Sequence, residues 1–262
     1  MTAHRTEAFP LTRMATIDVL EMGKRRHHIT ALIELDVSLA REKIRQHNSN
    51  GAPRISLTAW LISVVGTSLK AHETAAAFRS GKNKRIIFND INVSLLVEKE
   101  VGGERVPFPL LIEKAQSASP AHITRLISEA KEASHSDKDL VLKRKSGRME
   151  RLYPFLPAFL RRMVWRFLLS HPKFAYGKMG NVAITGIGMM GKVNGWFIPT
   201  AIHPIAFGIG SVVKKPVVKD EAIVIREMLQ MTVLLDHDVI DGAQMARFVS
   251  SLAKNIENAF NL

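Results

Sequence analysis

Near its C-terminus the chain reads Leu235-Asp236-His237-Asp238-Val239-Ile240-Asp241-Gly242-Ala243, a histidine four residues ahead of an Asp-Gly turn. The run Met228 to Leu235 before it is strand-like. After it, Met245, Phe248, Val249, Leu252, Ile256 and Phe260 recur at helical spacing and define one apolar face. His237 thus falls where a strand gives way to a turn, and loop positions on a rigid scaffold often carry function. An unperturbed imidazole titrates near neutral pH, so His237 can take a proton and return it within one turnover. Asp241 can hold the turn or set the local field. Read alone, the same residues also describe a polar His-Asp pair that merely finishes a strand end.

The surrounding order of residues resembles the catalytic domain shared by chloramphenicol acetyltransferase and the acyltransferase cores of 2-oxoacid dehydrogenase complexes. Their signature is H-x-x-x-D-G between a core strand and the last helix. The dehydrogenase cores usually read D-H-R-V-V/I-D-G-A followed by A-A-R-F. Here Asp236 to Ala243 and then Met245-Ala246-Arg247-Phe248 match, except that Asp238 replaces the arginine. The acetyltransferase branch varies that position too.

Upstream, Asn181-Val182-Ala183-Ile184-Thr185-Gly186-Ile187-Gly188-Met189-Met190-Gly191 resembles the family's T-F-T-I-S-N-L-G-M-F-G segment, which places Thr185 on the family's hydroxyl position. The resemblance implies that this hydroxyl donates to the oxyanion of a tetrahedral intermediate, and threonine has the O–H to do so. Without the family, a Thr before Gly reads as a turn residue. Ile198-Pro199, Ala206 to Val212 and Lys215 to Val218 match further family stretches, and Ile29 to Val37 resembles its first strand.

A chain of 262 residues can bury a sizeable core. No apolar run reaches the ~18 residues needed to span a bilayer. The start, Thr2 to Glu7, lacks the apolar centre of a signal peptide, so a cytoplasmic or membrane-associated protein is expected. The absence of cysteine excludes disulfides and an acyl-cysteine intermediate on this chain. A net charge of +13 and a pI near 10.2 call for anionic partners. Coenzyme A, an acidic carrier or lipoyl protein and lipid head groups all qualify. No recognition helix, zinc finger or RNA-binding signature accompanies the charge, which ranks nucleic acid third.

Along the chain, Ile29, Ala31, Ile33 and Leu35 alternate as a strand, and Asp36 is placed to cap a helix carrying Leu39, Ala40, Lys43, Ile44 and His47. Residues 48–53 read as a loop. Leu57 to Ala71 is a helix whose Trp60, Ile62, Val64 and Val65 belong to the core. Arg85 to Phe88, Asn92 to Glu98 and Val106 to Ile112 read as strands, with Gly102-Gly103 turning between the last two. Pro120 to Ala133 is a further helix. This order suits an α+β two-layer sandwich with a mixed β-sheet better than a doubly wound fold. Gly186 to Gly191 spells a dinucleotide-type glycine spacing, but no acidic ribose ligand follows, and a sharp loop beside Thr185 is expected instead. His27 and His28 point to opposite faces of a strand and lack further ligands, so they read as surface or strand-edge residues and no metal site is expected.

Residues 142–180 depart from the dehydrogenase cores, which have a short polar link there. Lys143, Arg144, Lys145 and Arg148 precede a stretch in which Phe159, Leu160, Met163, Val164, Phe167 and Leu168 share a helical face away from Arg161, Arg162 and Arg166. Pro157 suits its first turn and His171-Pro172 its end. Such a basic amphipathic insertion can dock on the trimer surface, cover a long acyl chain or lie on anionic membrane. No lipoylation turn with a Pro/Ala linker is present, so residues 1–262 are expected to form a single catalytic domain bearing no lipoyl group.

The resemblance implies a CoA-dependent acyltransferase acting by direct transfer to a thiol, hydroxyl or amine. His237 would be the general base, Thr185 the oxyanion donor and Asp241 the residue fixing the His237 loop. It also implies a homotrimer, or an assembly of trimers, with His237 and Thr185 of neighbouring subunits meeting. The competing reading is an inactive trimeric scaffold or membrane-surface protein of the same fold, motivated by the basic helix and Asp238.

Overall fold

The computed structural model describes residues 4–10, 13–101, 104–132, 153–186 and 193–262. Six strands form one mixed sheet in the order β1-β8-β7-β6-β4-β5: β1 (His28–Asp36), β8 (Ala222–Asp236), β7 (Ile205–Lys219), β6 (Val182–Gly186), β4 (Val93–Val101) and β5 (Glu104–Ile112). The pairs β4–β6 and β6–β7 are parallel and the rest antiparallel. A separate hairpin pairs β2 (Phe78–Ser80) with β3 (Lys84–Ile86). The helices are α1 (Arg13–Gly23), α2 (Ser38–Ser49), α3 (Leu57–Lys70), α4 (Pro120–Glu132), α5 (Ala158–Ser170), α6 (Pro172–Met179) and α7 (Gly242–Glu257). None among the described residues is long and apolar enough to cross a membrane.

The architecture is the expected α+β sandwich with a mixed sheet. One core joins Leu35 of β1, Met231, Val233 and Leu235 of β8 and Ile205 and Phe207 of β7 to α3, α4 and α7. Trp60, Ile62, Val64 and Val65 of α3 are fully buried, as their spacing implies, and Trp60 Nε1 donates to the Phe260 carbonyl at 2.8 Å. Burial of each large apolar side chain stabilises by roughly 1.5–3 kcal/mol before entropy is subtracted. The other side of the central strands packs Ala206 and Leu234 against Ala201. With both faces covered, β8 loses its alternation and is buried continuously from Leu229 to Asp236. β1 lies at the edge and keeps it, with Leu32 out and Leu35 in.

Several expectations are corrected. The carboxylate of Asp36 accepts from the Ser38 N–H at 2.9 Å, but Val37 occupies the cap position of α2, and Arg226 holds the other oxygen of Asp36 at 2.6 Å. Phe88 lies outside β3 and stacks flat on Tyr176, with centroids 3.8 Å apart. Phe260 lies beyond the end of α7 and is exposed, whereas Phe248, Leu252 and Ile256 are buried as their spacing implies. His171-Pro172 does end α5, yet Pro172 also starts α6, for which Pro is suited because the first-turn N–H needs no partner. The Gly102-Gly103 turn, residues 187–192 of the expected glycine loop and the basic cluster from Lys143 to Arg148 lie outside the described residues.

Candidate active site

The loop after β8 is tied down by backbone and carboxylate together. Asp236 is buried, and its Oδ2 takes a 2.9 Å hydrogen bond from Arg26 Nη1 while Oδ1 accepts from the Asp238 N–H at 3.1 Å. The carbonyl of Asp236 accepts from Val239 N and Ile240 N, closing a tight turn, and its own N–H donates to the Pro204 carbonyl. The N–H of His237 donates to the His27 carbonyl at 2.9 Å. The imidazole of His237 is therefore carried on a fixed backbone while the ring itself is exposed, with no hydrogen-bond partner among the described residues.

Asp241 caps α7: its Oδ1 accepts from the Gln244 N–H at 2.8 Å in the extended backbone conformation expected of a cap. It thereby fixes the far end of the loop without hydrogen-bonding to the His237 ring. Asp238 is pinned from two sides, by His27 Nδ1 at 3.0 Å and Arg79 Nη1 at 2.9 Å. The hydrogen bond from His27, with Arg79 beside it, holds the Asp238 carboxyl below its usual range. Through Arg79 the β2–β3 hairpin is docked on the loop, and Arg85 reaches the Val239 carbonyl at 3.5 Å. That hairpin also presents exposed Lys82 and Lys84 and carries no carboxylate from Phe78 to Ile86.

Two histidines brace the floor of the loop. Nε2 of His28 donates to the His203 carbonyl, and Nε2 of His203 donates to the Met179 carbonyl, each at 2.9 Å. Burial lowers the pKa of both, that of His203 to about 4, so His203 is a neutral strut at neutral pH. Sequence reasoning places His28 at a strand edge and passes over Arg26, Arg79 and His203. The D-H order is a readable signal for Asp236, but its partner Arg26 is 210 residues away and no local pattern announces it.

Thr185 stands in β6 as a strand residue. It is half-buried, and its hydroxyl has no partner among the described residues. The start of β6 is set by Asn181, whose Oδ1 accepts from Asn92 N at 2.8 Å while Asn92 O accepts from Asn181 N and Val182 N. Gly180 makes this approach possible: its φ is +72°, and a Cβ there would lie 2.3 Å from the Asn92 oxygen. Along the sheet, Thr185 pairs with Gly208 and Gly208 with Thr232. His237 lies five residues beyond Thr232 and two strands from β6, which separates the two residues by about 17 Å along the strands and 10 Å across them. Within one chain they do not meet.

An open cleft of ≈ 570 Å³ beside the end of α3, lined by Thr67, Lys70, Asn89, Asp90 and Gln116 among others, includes none of these residues.

Residues 176–262, which hold both Thr185 and His237, match the family model of 2-oxoacid dehydrogenases acyltransferase (catalytic domain). The acetyltransferase component of the pyruvate dehydrogenase complex of Corynebacterium glutamicum is 25% identical over 264 residues, spanning 95% of this chain and 32% of that protein. The C-terminal third of this chain is thus similar to the 2-oxoacid dehydrogenase acyltransferases by family model, and nearly its whole length by sequence. The corresponding Rickettsia prowazekii component is 35% identical over 79 residues, 30% of this chain and 19% of that one. The chain therefore spans a third or less of the length of these two relatives.

The fold agrees. A probable dihydrolipoamide acetyltransferase from Listeria monocytogenes superposes with a TM-score of 0.70 at 18% identity, covering 98% of this chain and 95% of that one. The cubic core of a pyruvate dehydrogenase multienzyme complex does so with a TM-score of 0.70 at 16% identity, covering 97% and 92%.

Proposed function

We propose that the chain transfers an acyl group between a CoA thioester and an acceptor thiol, hydroxyl or amine, both substrates being bound together. The observation that carries this reading is the exposed His237 ring on a backbone held from three sides, within a segment that matches the acyltransferase family model. His237 removes the proton from the acceptor as it attacks the thioester carbonyl. Thr185 donates to the oxyanion, and collapse of the tetrahedral intermediate expels the CoA thiolate, which takes up a proton. Asp241 acts on the loop through its cap. Lys82, Lys84 and Arg85 offer positive charge near the loop for the phosphates of CoA.

Residues 1–262 are proposed to act as one catalytic domain carrying the insertion at 142–180. Because Thr185 and His237 are held apart within a chain, the site is proposed to form between subunits of a homotrimer, the His237 of one facing the Thr185 of the next. Release of CoA measured over a panel of acyl-CoAs and acceptors tests the reading. A His237→Ala variant is expected to lose ~10²–10⁴-fold in kcat, the usual contribution of a general base. Full activity in that variant would refute the assignment.

A further inference from the structure

Helix α5 is built inside out. Arg161 and Trp165, one turn apart, share the side that faces the protein. Arg161 Nε donates to the buried carboxylate of Asp18 in α1 at 2.7 Å, and the Tyr153 hydroxyl donates to the same oxygen at 2.8 Å. Trp165 Nε1 donates in turn to that hydroxyl at 2.8 Å. The side with the Arg161–Asp18 ion pair is thus the buried one. The solvent side carries Phe159, Met163 and Phe167 four residues apart with Val164 beside them, and Phe159 is 68% exposed and Phe167 56%. The ring of Phe174 in α6 lies 6.4 Å from that of Phe167 and continues the patch, and Phe155, just before α5, is 72% exposed. Contiguous apolar surface of this kind on a soluble protein marks something that covers it.

The charge on this surface points to the cover. From Tyr153 to Gly180 the chain holds five basic residues and no Asp or Glu. Among the described residues only Arg161 is ion-paired, with Asp18; Arg162, Arg166 and Lys173 are exposed, and Lys178 lies over the Phe174 ring at 5.7 Å. Glu21, the carboxylate that senses Arg162, is already engaged by Lys24 at 3.0 Å. Arg162 and Arg166 adjoin Met163 and Phe167, so guanidinium groups border the apolar row. A two-fold contact with a second copy would set these cations against themselves, and the heterologous contact of a trimer is separated from lipid by the oligomer measurement below. Apolar rings flanked by long cationic side chains instead match the boundary between acyl chains and anionic head groups.

We infer that the outer face of α5 seats on an anionic lipid surface, with Phe159, Met163 and Phe167 entering the head-group boundary and Arg162, Arg166 and Lys173 meeting lipid phosphates. The helix lies in the plane of the surface, since it is too short to cross it. This inference is independent of the acyl-transfer reading, because none of these residues belongs to the proposed site.

Co-sedimentation of the full chain with vesicles tests it. One set is phosphatidylcholine alone and the other phosphatidylcholine mixed with phosphatidylglycerol. Two double variants accompany the natural chain, Phe159→Ser with Phe167→Ser and Arg162→Gln with Arg166→Gln. All four positions are exposed, so both variants are expected to fold, which unchanged circular dichroism and urea unfolding would establish. The natural chain is expected to sediment with the mixed vesicles and not with the neutral ones. The arginine variant should bind the mixed vesicles about thirtyfold more weakly, a loss of about fivefold for each basic residue near the surface. The phenylalanine variant should lose at least as much. Failure to sediment with mixed vesicles, equal sedimentation with both sets, or unchanged binding by both variants would each overturn the inference. So would an oligomer that dissociates in the phenylalanine variant of a chain that ignores lipid, which would assign the face to a contact between copies.

Discussion

A carboxylate follows His237 where the acyltransferase cores usually carry a guanidinium, and the loop accommodates the reversal by engaging Arg79 and His27 on either side of Asp238. Both partners are well exposed, so the pairing is worth at most ~1 kcal/mol of stability. Its consequence lies in position: it couples the β2–β3 hairpin and the start of β1 to the residue next to the proposed base. Asp238→Asn is expected to shift the thermal midpoint by no more than about 4 °C and to lower kcat about tenfold by loosening the loop. Because the native carboxyl sits below its usual range, the stability it contributes is present above the unfolded carboxyl's pKa and is lost as pH falls through the lowered value. Unchanged kcat in the variant would mean that Asp236 and the backbone bonds alone hold His237. The candidate base, oxyanion donor and cap are all legible as residues, since their spacing lies within single short segments. The cations that answer the carboxylates are not, because Arg26 and Arg79 come from segments 210 and 159 residues away.

Among the elements, those with one buried face are the ones the sequence discloses. The stripe of α7 and the alternation of β1 follow directly from packing on the core. Helix α1 has no such signal, because Ile17 and Leu20 remain exposed and its buried residues include Asp18, the opposite of an apolar stripe. β2 and β3 are three residues each, too short to show a period. The apolar face of α5 is legible as a face, but the Asp18–Arg161 pair turns it outward. That pair is buried, so Asp18→Ala is expected to strand the guanidinium and cost about 3–5 kcal/mol. Asp18→Leu combined with Arg161→Met should recover most of it, because an apolar pair of similar volume needs no desolvated charge. Urea unfolding of the three chains measures both effects. An Asp18→Ala chain as stable as the natural one would show that α1 and α5 are held by apolar contacts instead.

At the scale of the molecule, the fold makes stability depend on pH through its buried histidines. His203 is neutral in the native chain, with its pKa pushed down to about 4 by burial, and His28 is shifted the same way. Above about pH 6.5 the imidazole is neutral in both states and the full stability is present. As pH falls from there towards 4, the unfolded chain binds a proton that the native chain refuses, and stability is lost. For His203 alone the loss by pH 5 is about 2 kcal/mol. The urea midpoint should therefore fall between pH 7 and pH 5, and fall less in His203→Gln, which keeps a donor for the Met179 carbonyl. An identical slope in both chains would place the proton uptake elsewhere.

The same sheet sets Thr185 level with Thr232 in the middle of β8 and His237 just past its end, so the proposed acyl transfer by the two together would take place between neighbouring subunits. Mixing two inactive chains tests this most directly. Thr185→Val and His237→Ala chains, each expected to be crippled alone, would be unfolded and refolded together in equal amounts and assayed for CoA release. If a His237 faces the Thr185 of the next subunit in a trimer, about one site in four in the mixture regains both groups, and about a quarter of the natural rate should return. A mixture no more active than its two components would contradict a site shared between subunits.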